Sequence, residues 1–520
     1  MEKEKKMQEI VDSREMKQID SWTIAQIGIP SMVLMERAAL SVVEEIRKRF
    51  AKKEKILCLC GTGNNGGDGV AIARILHQLG YMVHCEIIGE KERCTEETRQ
   101  QVQIAEKIGV IFVNKVEISE YTVVVDAIFG IGLSRDIQGI YEEVIEKVNK
   151  SNSYVIAVDI PSGVCTNTGK IWNVAMKANV TVTFGYWKTG LVLYPGAEYA
   201  GEVVVAYVGF VHYKEKKAFQ KFFYEKRDLK ELLPQRSPYS NKGTYGKILV
   251  IAGSKNMCGA AIFSAKAAYV TGAGLVRVVT VEDNREIIQS SVPEVVLETY
   301  KETTIEQDML RIKEHIQQAD AIVIGPGLGK GETGKKLLSL VIEYGSAPTV
   351  IDADALHLLV REFQFMEPYR KGKKCKWELP ANYILTPHMK EMTALLGNNI
   401  SIGEIRDNLF EILSSCVENK NILVLKDART VVLQNEQCYI NMSGNDGMAT
   451  AGAGDVLTGI IAGLLGQKMS PYKAATLGVY LHGLAGEKAG IKKGRYSVMA
   501  QDILEGISAA MKIVDVDKEG

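Results

Sequence analysis

The sequence predicts two three-layer α/β/α domains in one chain, and three observations predict it. At 520 residues the chain exceeds what a single hydrophobic core ordinarily organises. Short β-branched runs (Ile56–Cys60, Val123–Asp126, Val155–Asp159, Lys247–Ala252, Ala321–Gly325, Thr349–Asp352 and Ile422–Lys426) alternate with helix-length amphipathic segments. That alternation means βαβ units whose parallel sheets are covered on both faces. Finally, a charged stretch from Tyr213 to Arg236, containing KEKK and EKRDLKE, is poor in core residues and reads as a linker or domain-edge helix. A boundary near residue 220 divides the chain into 1–220 and 221–520. A second irregular stretch, Phe363 to Asn382 with RKGKKCK, reads as a solvated surface insertion between strands.

Composition narrows the function classes. The chain is 46% hydrophobic and 24% charged, and its 63 basic residues balance 63 acidic ones. Such neutrality gives no drive toward nucleic acid or an anionic membrane. The nine cysteines include no C-x-x-C pair and no zinc-type grouping, so reduced thiols in a cytoplasmic protein are expected. Cys58 and Cys60 sit in an apolar run that reads as buried strand. The N-terminus MEKEKKMQEI lacks an apolar signal region, and the apolar stretch Val456–Leu465 falls short of a membrane span.

In the first domain the strand Ile56–Cys60 runs into GTGNNGGDG, Gly61 to Gly69, and then into a helical pattern from Val70 to Leu79. Gly61, Gly63 and Gly66 form G-x-G-x-x-G, with Glu86 about twenty residues on, where a Rossmann-like domain would hold a ribose. A dehydrogenase is therefore one reading. The polar side chains of Asn64, Asn65 and Asp68 exceed what pyrophosphate packing needs, and equally suit sugar hydroxyls or a monovalent cation. Asp126, followed by a glycine loop with Arg135, and Asp159, followed by Pro161-Ser162-Gly163, mark two further strand ends. Ligands sit beyond the carboxyl ends of parallel strands, so the three loops should converge on one site; the alternative is that each Asp caps the next helix.

The motifs LMERA, NNGGDG, DAIFGIGL, DIPSG and FGYWKTGL make the segment from about Met16 to Val208 resemble an NAD(P)H-hydrate epimerase domain. The resemblance implies substrate contacts from Asn64, Asn65, Gly66, Gly67 and Asp68 and from the loop of Gly130, Gly132, Arg135 and Asp136. It implies a potassium ion held by Asn65, Asp126 and Ser162, and Asp159 as the acid–base residue with Lys188 close by.

The second domain opens on KGTYGKILVIAGS and a small-residue segment, MCGAAIFSAKAAYVTGAGLV, read as a helix with mostly structural Ala and Gly. Gly329 to Lys336 matches G-x-x-x-x-G-K, but Lys336 stands where a P-loop needs Ser or Thr, and no strand immediately precedes it. The P-loop reading is rejected. The sharpest feature is NDGMATAGAGDVLTGIIAGLL, which places Ala451–Asp455 at the start of a long apolar helix. Backbone N–H groups there can receive developing phosphate charge, and Asp455 can take a proton from an attacking hydroxyl. Simple complementarity to the helix dipole is the plainer explanation of that Asp. Thr386-Pro-His388 and VLKDARTVV mark further strand ends, with Lys426 and Thr430 around a turn.

From about Leu229 to Ile513 these motifs resemble, in order and spacing, a ribokinase-like ADP- or ATP-dependent NAD(P)H-hydrate dehydratase. That resemblance implies hydrate contacts from Ala260, Gly327, His388 and Asp455. It implies adenine-nucleotide contacts from Lys426, Asp427, Ala428, Arg429, Thr430 and Gly454, with Mg²⁺, and Asp352 and Asp354 organising the site. Two positions depart from the family pattern: Asp427 replaces a glycine, adding negative charge near the phosphates, and Lys390 replaces another.

Fusion of the two activities is chemically coherent. Hydrated NADH or NADPH is a mixture of R and S epimers, and a dehydratase specific for the S hydrate needs an epimerase to recover the other. The expected partners are thus hydrated NADH/NADPH and an adenine nucleotide, with a homo-oligomer expected. The rivals are a thiazole or pyrimidine alcohol kinase of the same fold, and a non-catalytic N-terminal binding module.

Overall fold

The computed structural model describes residues 7–211, 220–362, 379–416 and 420–512. The chain divides into two compact units, Glu9–Lys217 and Ala218–Gly520, the second including Met1–Gln8. Residues 212–219 of the charged stretch and 363–378 of the basic insertion lie outside the described residues; beyond the former come a strand, Gln220–Phe223, and a short helix, Leu229–Leu232.

The first unit is built on seven parallel strands in the order Ile111–Phe112, Met82–Ile87, Lys55–Cys60, Val123–Ala127, Tyr154–Val158, Val180–Phe184, Glu202–Ala206. Strand periodicity divides the core in two. Ile56, Cys58, Cys60, Val123 and Val125 face a layer containing Val42, Val70 and Leu76, whereas Leu57, Leu59, Val124 and Val155 face Ile145 and Val148. Both faces are dry, which is why these strands read as continuous apolar runs rather than alternating ones. The buried thiols of Cys58 and Cys60 belong to this packing. Leu59 pairs with Asp126, and Asp126 with Ala157, so Gly61, Asp126 and Asp159 emerge at one edge of the sheet.

The helix expected from Val70 begins six residues sooner, at Asn64, and runs to Gln78. NNGGD is its first turn rather than a free loop. Gly66 makes this possible: a Cβ there would lie 1.8 Å from the Gly61 carbonyl oxygen, so only glycine lets the helix fold back onto the strand end.

The second unit carries ten described strands, from Val296–Tyr300 through Leu275–Val281, Lys247–Ile251, Ala321–Ile324, Thr349–Ile351, Tyr383–Leu385 and Ile422–Leu425 to Val431–Gln434, Gln437–Ile440 and Gln220–Phe223. Pairing is parallel up to Ile422–Leu425, antiparallel from there through Val431–Gln434 to Gln437–Ile440, and parallel again between Gln437–Ile440 and Gln220–Phe223. Ile251, Ile324, Ile351 and Leu385 stand level in the register, which collects the loops after them at one edge. The helix Ala453–Gly466 packs on Cys258–Thr271. Its Gly459 has no room for a side chain, since a Cβ would meet the Ser264 carbonyl at 2.2 Å. The small residues in both segments are thus the means of close helix packing. Among the described residues no helix is long and apolar enough to cross a membrane.

Candidate active sites

At the strand-end edge of the first unit lies a cavity of about 800 Å³ lined by residues including Asn64, Asn65, Asp68, Gly130, Gly132, Arg135, Asp159 and Lys188. The three predicted loops therefore converge. Gly66 and Gly67 do not line it: they pack against Gly61 and against Met35 and Thr98. Asp136 is exposed and also off the cavity wall.

Asp159 sits directly after a strand with φ +67°, a left-handed conformation that most side chains avoid and that recurs where a group must be aimed. Its Oδ1 accepts from Lys188 Nζ at 2.5 Å, from Phe184 N at 3.0 Å and from Thr183 Oγ1 at 3.1 Å. Lys188 is brought there by the parallel pairing of Ile10 and Val11 with Trp187 and Lys188. Its ammonium is fully buried and also donates to the Phe184 carbonyl at 2.7 Å. Burial lowers the Lys188 pKa, and Asp159 opposes that shift. All three donors meet Oδ1, and among the described residues none hydrogen-bonds Oδ2 of this cavity-lining carboxyl.

Three more carboxyls line this space, Asp68, Asp20 and Glu97. Burial, then Asp159, then Asp20 push Asp68 well above the usual carboxylate range. Burial, then Asp159 and Glu97, raise Asp20. Asp20 lines the cavity from the helix Ser13–Ala25, and sequence reading missed it. Its neighbours Met16, Ile19 and Thr23 are buried, so the segment reads as an ordinary amphipathic helix with no chemical signature. Burial and the neighbouring carboxyls thus disfavour the charged forms of Asp68 and Asp20 beside the Asp159–Lys188 pair.

Asp126 and Ser162 adjoin one another and do not line the cavity themselves. Asp126 is fully buried, its Oδ1 accepting from Ser162 Oγ at 2.6 Å and its Oδ2 from Ser162 N at 2.8 Å. Burial, offset by these bonds, pushes its pKa up to about 6. The Phe129 N–H donates to Ser162 Oγ at 2.8 Å. Asn65 packs on Gly130, and its Nδ2 is buried without a hydrogen-bond partner.

In the second unit the loops after four strands meet around Lys426. Lys426 Nζ donates to Asp352 Oδ1 at 2.7 Å, with the Asp352 side chain only 3% exposed. A Cβ on Gly454 would lie 3.5 Å from both Lys426 Nζ and Asp352 Oδ2. Asp455 is the next residue, in the first turn of Ala453–Gly466. Burial and then Asp352 raise its pKa, Lys426 partly offsetting them, to about 7. A carboxyl poised there at a helix N-terminus is suited to proton transfer, and helix-dipole complementarity alone would not hold a carboxyl near neutrality.

Ala260 and Gly327 adjoin, a Cβ on Gly327 falling 3.1 Å from that of Ala260. His388 caps the helix Met389–Leu395: its Nδ1 accepts from Glu391 N at 3.1 Å, which puts its proton on Nε2. Its backbone pairs with that of Lys426 in an isolated parallel β-bridge. Asp354 Oδ2 accepts from Gly329 N at 2.9 Å and so shapes the glycine loop. Lys426 to Thr430 form the hairpin turn between Ile422–Leu425 and Val431–Gln434, with Ala428 exposed at its tip and Arg429 donating to the Met442 carbonyl at 3.0 Å. The rejected P-loop lysine, Lys336, pairs with Glu306.

Asp427 does not add a bare charge. Arg406 clasps it with both arms, Nε to Oδ2 and Nη2 to Oδ1, each at 2.9 Å. With the adenine nucleotide held at Lys426–Thr430, as the resemblance implies, removing that clasp with Arg406→Ala should raise its KM about threefold to tenfold, the effect of one uncompensated charge near phosphate in a partly aqueous setting. Asp427→Gly in the same background should cancel the effect; initial rates over a nucleotide titration measure both.

A carboxyl-lined cavity on a Rossmann-like sheet, joined in one chain to a ribokinase-like unit with a raised carboxyl at a helix start, defines a two-site enzyme acting on small molecules. Comparison with known proteins makes this particular. Residues 248–509 match the family model described as NAD(P)H-hydrate dehydratase, and residues 31–190 match that of the YjeF-related protein N-terminus. The bifunctional NAD(P)H-hydrate repair enzyme of Moorella thermoacetica is 35% identical, covering 98% of each chain. Its counterpart from Thermofilum pendens is 34% identical over 97% of this chain and 96% of its own. A solved ADP/ATP-dependent NAD(P)H-hydrate dehydratase from Bacillus subtilis, co-crystallised with ATP and Mg²⁺, is 28% identical with a TM-score of 0.47, covering 56% of this chain and 98% of its own. The chain belongs to the family of bifunctional NAD(P)H-hydrate repair enzymes.

Proposed function

We propose that the unit within 1–220 interconverts the R and S hydrates of NADH and NADPH, and that the unit within 221–520 dehydrates the S hydrate at the expense of ADP or ATP. The observation that carries the first half is Asp159, held by buried Lys188 through one oxygen and opposed by the raised carboxyls of Asp68 and Asp20. A base and an acid in one cavity are what a hemiaminal carbon requires. Asp159 takes the proton of the hydrate hydroxyl, the ring C–N bond opens to an aldehyde, and a protonated carboxyl, Asp68 or Asp20, returns a proton to nitrogen. Rotation and reclosure on the other face invert the centre, and each proton is returned.

Asn65, Asp126 and Ser162 fit a potassium ion, because the orphaned amide of Asn65 can present its oxygen and Asp126 supplies the negative charge. Bound there, the cation would supply positive charge for substrate oxygens in the cavity.

In the second unit Asp455 takes the proton of the hydrate hydroxyl as it attacks the terminal phosphate of the nucleotide bound at Lys426–Thr430 and Gly454, breaking the terminal phosphoanhydride bond and releasing AMP from ADP or ADP from ATP. N–H groups at the start of Ala453–Gly466 receive the transferred phosphoryl charge. Mg²⁺ would neutralise the nucleotide phosphates. Loss of phosphate from the hydrate carbon, with loss of the adjacent C–H proton, restores the dihydronicotinamide ring. Ala260, Gly327 and His388 would position that ring.

The test is to incubate the purified protein with mixed hydrate epimers, Mg²⁺, K⁺ and either ADP, ATP or no nucleotide, and to follow the return of reduced-nicotinamide absorbance. Complete, nucleotide-dependent recovery of both epimers is expected. No recovery with either nucleotide sinks the proposal in favour of a small-alcohol kinase, which would leave a stable phosphoester.

A further inference from the structure

A second cavity, of about 670 Å³, opens beside the first at the same sheet edge and shares Thr62 with it. Thr62 stands in the glycine turn just before the helix Asn64–Gln78, so the two cavities lie on either side of that helix start. The partition between them is an aromatic pair. Phe129, on the wall of the first cavity, and Tyr141, on the wall of the second, have ring centroids 4.8 Å apart. The Tyr141 hydroxyl abuts the turn at Gly89, where φ is +111° and an added Cβ would fall 2.5 Å from it.

Glu86 at the end of the strand Met82–Ile87 is the second cavity's buried polar group, 6% exposed. Its Oε1 accepts from Lys115 N at 2.8 Å, which orients the carboxyl, and among the described residues Oε2 has no hydrogen-bond partner. Phe112 supplies a second aromatic wall, with Lys91 Nζ 5.1 Å from its ring centroid, and Arg93 is tied to Glu90 at 2.7 Å.

A dinucleotide has two nucleoside halves joined by a pyrophosphate, and the structure has two cavities joined at a helix start. We propose that the second cavity takes the adenosine half of the hydrated dinucleotide, with Glu86 accepting hydrogen bonds from its ribose hydroxyls and Phe112 and Tyr141 flanking the adenine. The pyrophosphate then crosses at Thr62, where the first N–H groups of Asn64–Gln78 face it. This rests on the epimerase reading above and extends it to a subsite. Because a carboxylate bonds a free diol but repels a 2′-phosphate, Glu86 also favours hydrated NADH over hydrated NADPH.

The test uses the full chain and three substrates: hydrated NADH, hydrated NADPH and hydrated reduced nicotinamide mononucleotide, which lacks the adenosine half. The readout is kcat/KM for the epimerisation-limited phase of recovery. Glu86→Gln keeps an acceptor for Lys115 and should fold. It is expected to lower kcat/KM about tenfold for hydrated NADH, the loss of one charge-assisted hydrogen bond, to narrow the NADH/NADPH gap, and to leave the mononucleotide within twofold of wild type. An equal loss on the mononucleotide would assign Glu86 a structural role and overturn the proposal; so would no loss on any substrate. Absence of epimerisation from the wild type on all three would remove the epimerase reading and this subsite with it, whereas turnover of the mononucleotide by both proteins keeps the former standing whatever happens to the latter.

Discussion

Asp455→Asn is expected to lower nucleotide-dependent recovery of the S hydrate by about 10²–10⁴-fold, the range set by loss of a general base. Asparagine fills the same space and keeps a polar group at the start of Ala453–Gly466, so the helix should persist. The epimerase cavity, on another sheet, should keep its rate. With the wild type, kcat/KM for dehydration should rise with pH along an acid limb centred near 7, because only ionised Asp455 accepts a proton and burial beside Asp352 pushes its pKa to about 7. The sign is fixed by the role: below that pH the carboxyl is protonated and idle. Weakening its Lys426 offset should move the limb upward, since the ammonium is what opposes the shift. Rates across pH with saturating nucleotide measure this, and a limb that stays at an ordinary carboxylate value would remove Asp455 from the proton-transfer role.

Much of both sites was legible because parallel sheets impose a rule. Side chains just past a strand's carboxyl end meet at one edge, so Asp126, Asp159, Asp352, His388 and Lys426 could be picked from strands alone. What sequence could not show were contacts made in space. Asp427 reads as a stray negative charge until Arg406, on another element, is seen to clasp it. Asp20 lies in a helix with no motif, and only its position opposite Asp159 and Asp68 gives it meaning. The glycines show the converse limit. In NNGGDG all positions look equally suited to ligand, yet Gly66 is required by a backbone approach to Gly61 while Asn65 and Asp68 reach the cavity. Local pattern also placed the helix start at Val70, because Asn and Gly disfavour helix interiors; the tertiary approach of the first turn to the strand end overrides that preference and begins it at Asn64.

Asp159→Asn should abolish epimerisation to the spontaneous rate, a loss of about 10²–10⁴-fold, so that S hydrate is recovered quickly and R hydrate only slowly. The same change should destabilise the first unit. Asparagine can still accept from Phe184 N and Thr183, but the fully buried ammonium of Lys188 loses its counter-charge. Breaking a buried pair by removing one partner costs about 3–5 kcal/mol, with the lower end expected here because the Asp159 side chain is still 13% exposed. Catalytic and structural losses can be separated by adding Lys188→Met, which fills the same channel without a charge. The double variant should regain most of the lost thermal stability, read as unfolding temperature, and none of the epimerisation. If it recovered epimerisation as well, Asp159 would be only the anchor of Lys188, and the proton from the hydrate hydroxyl would have to be taken by Asp68 or Asp20.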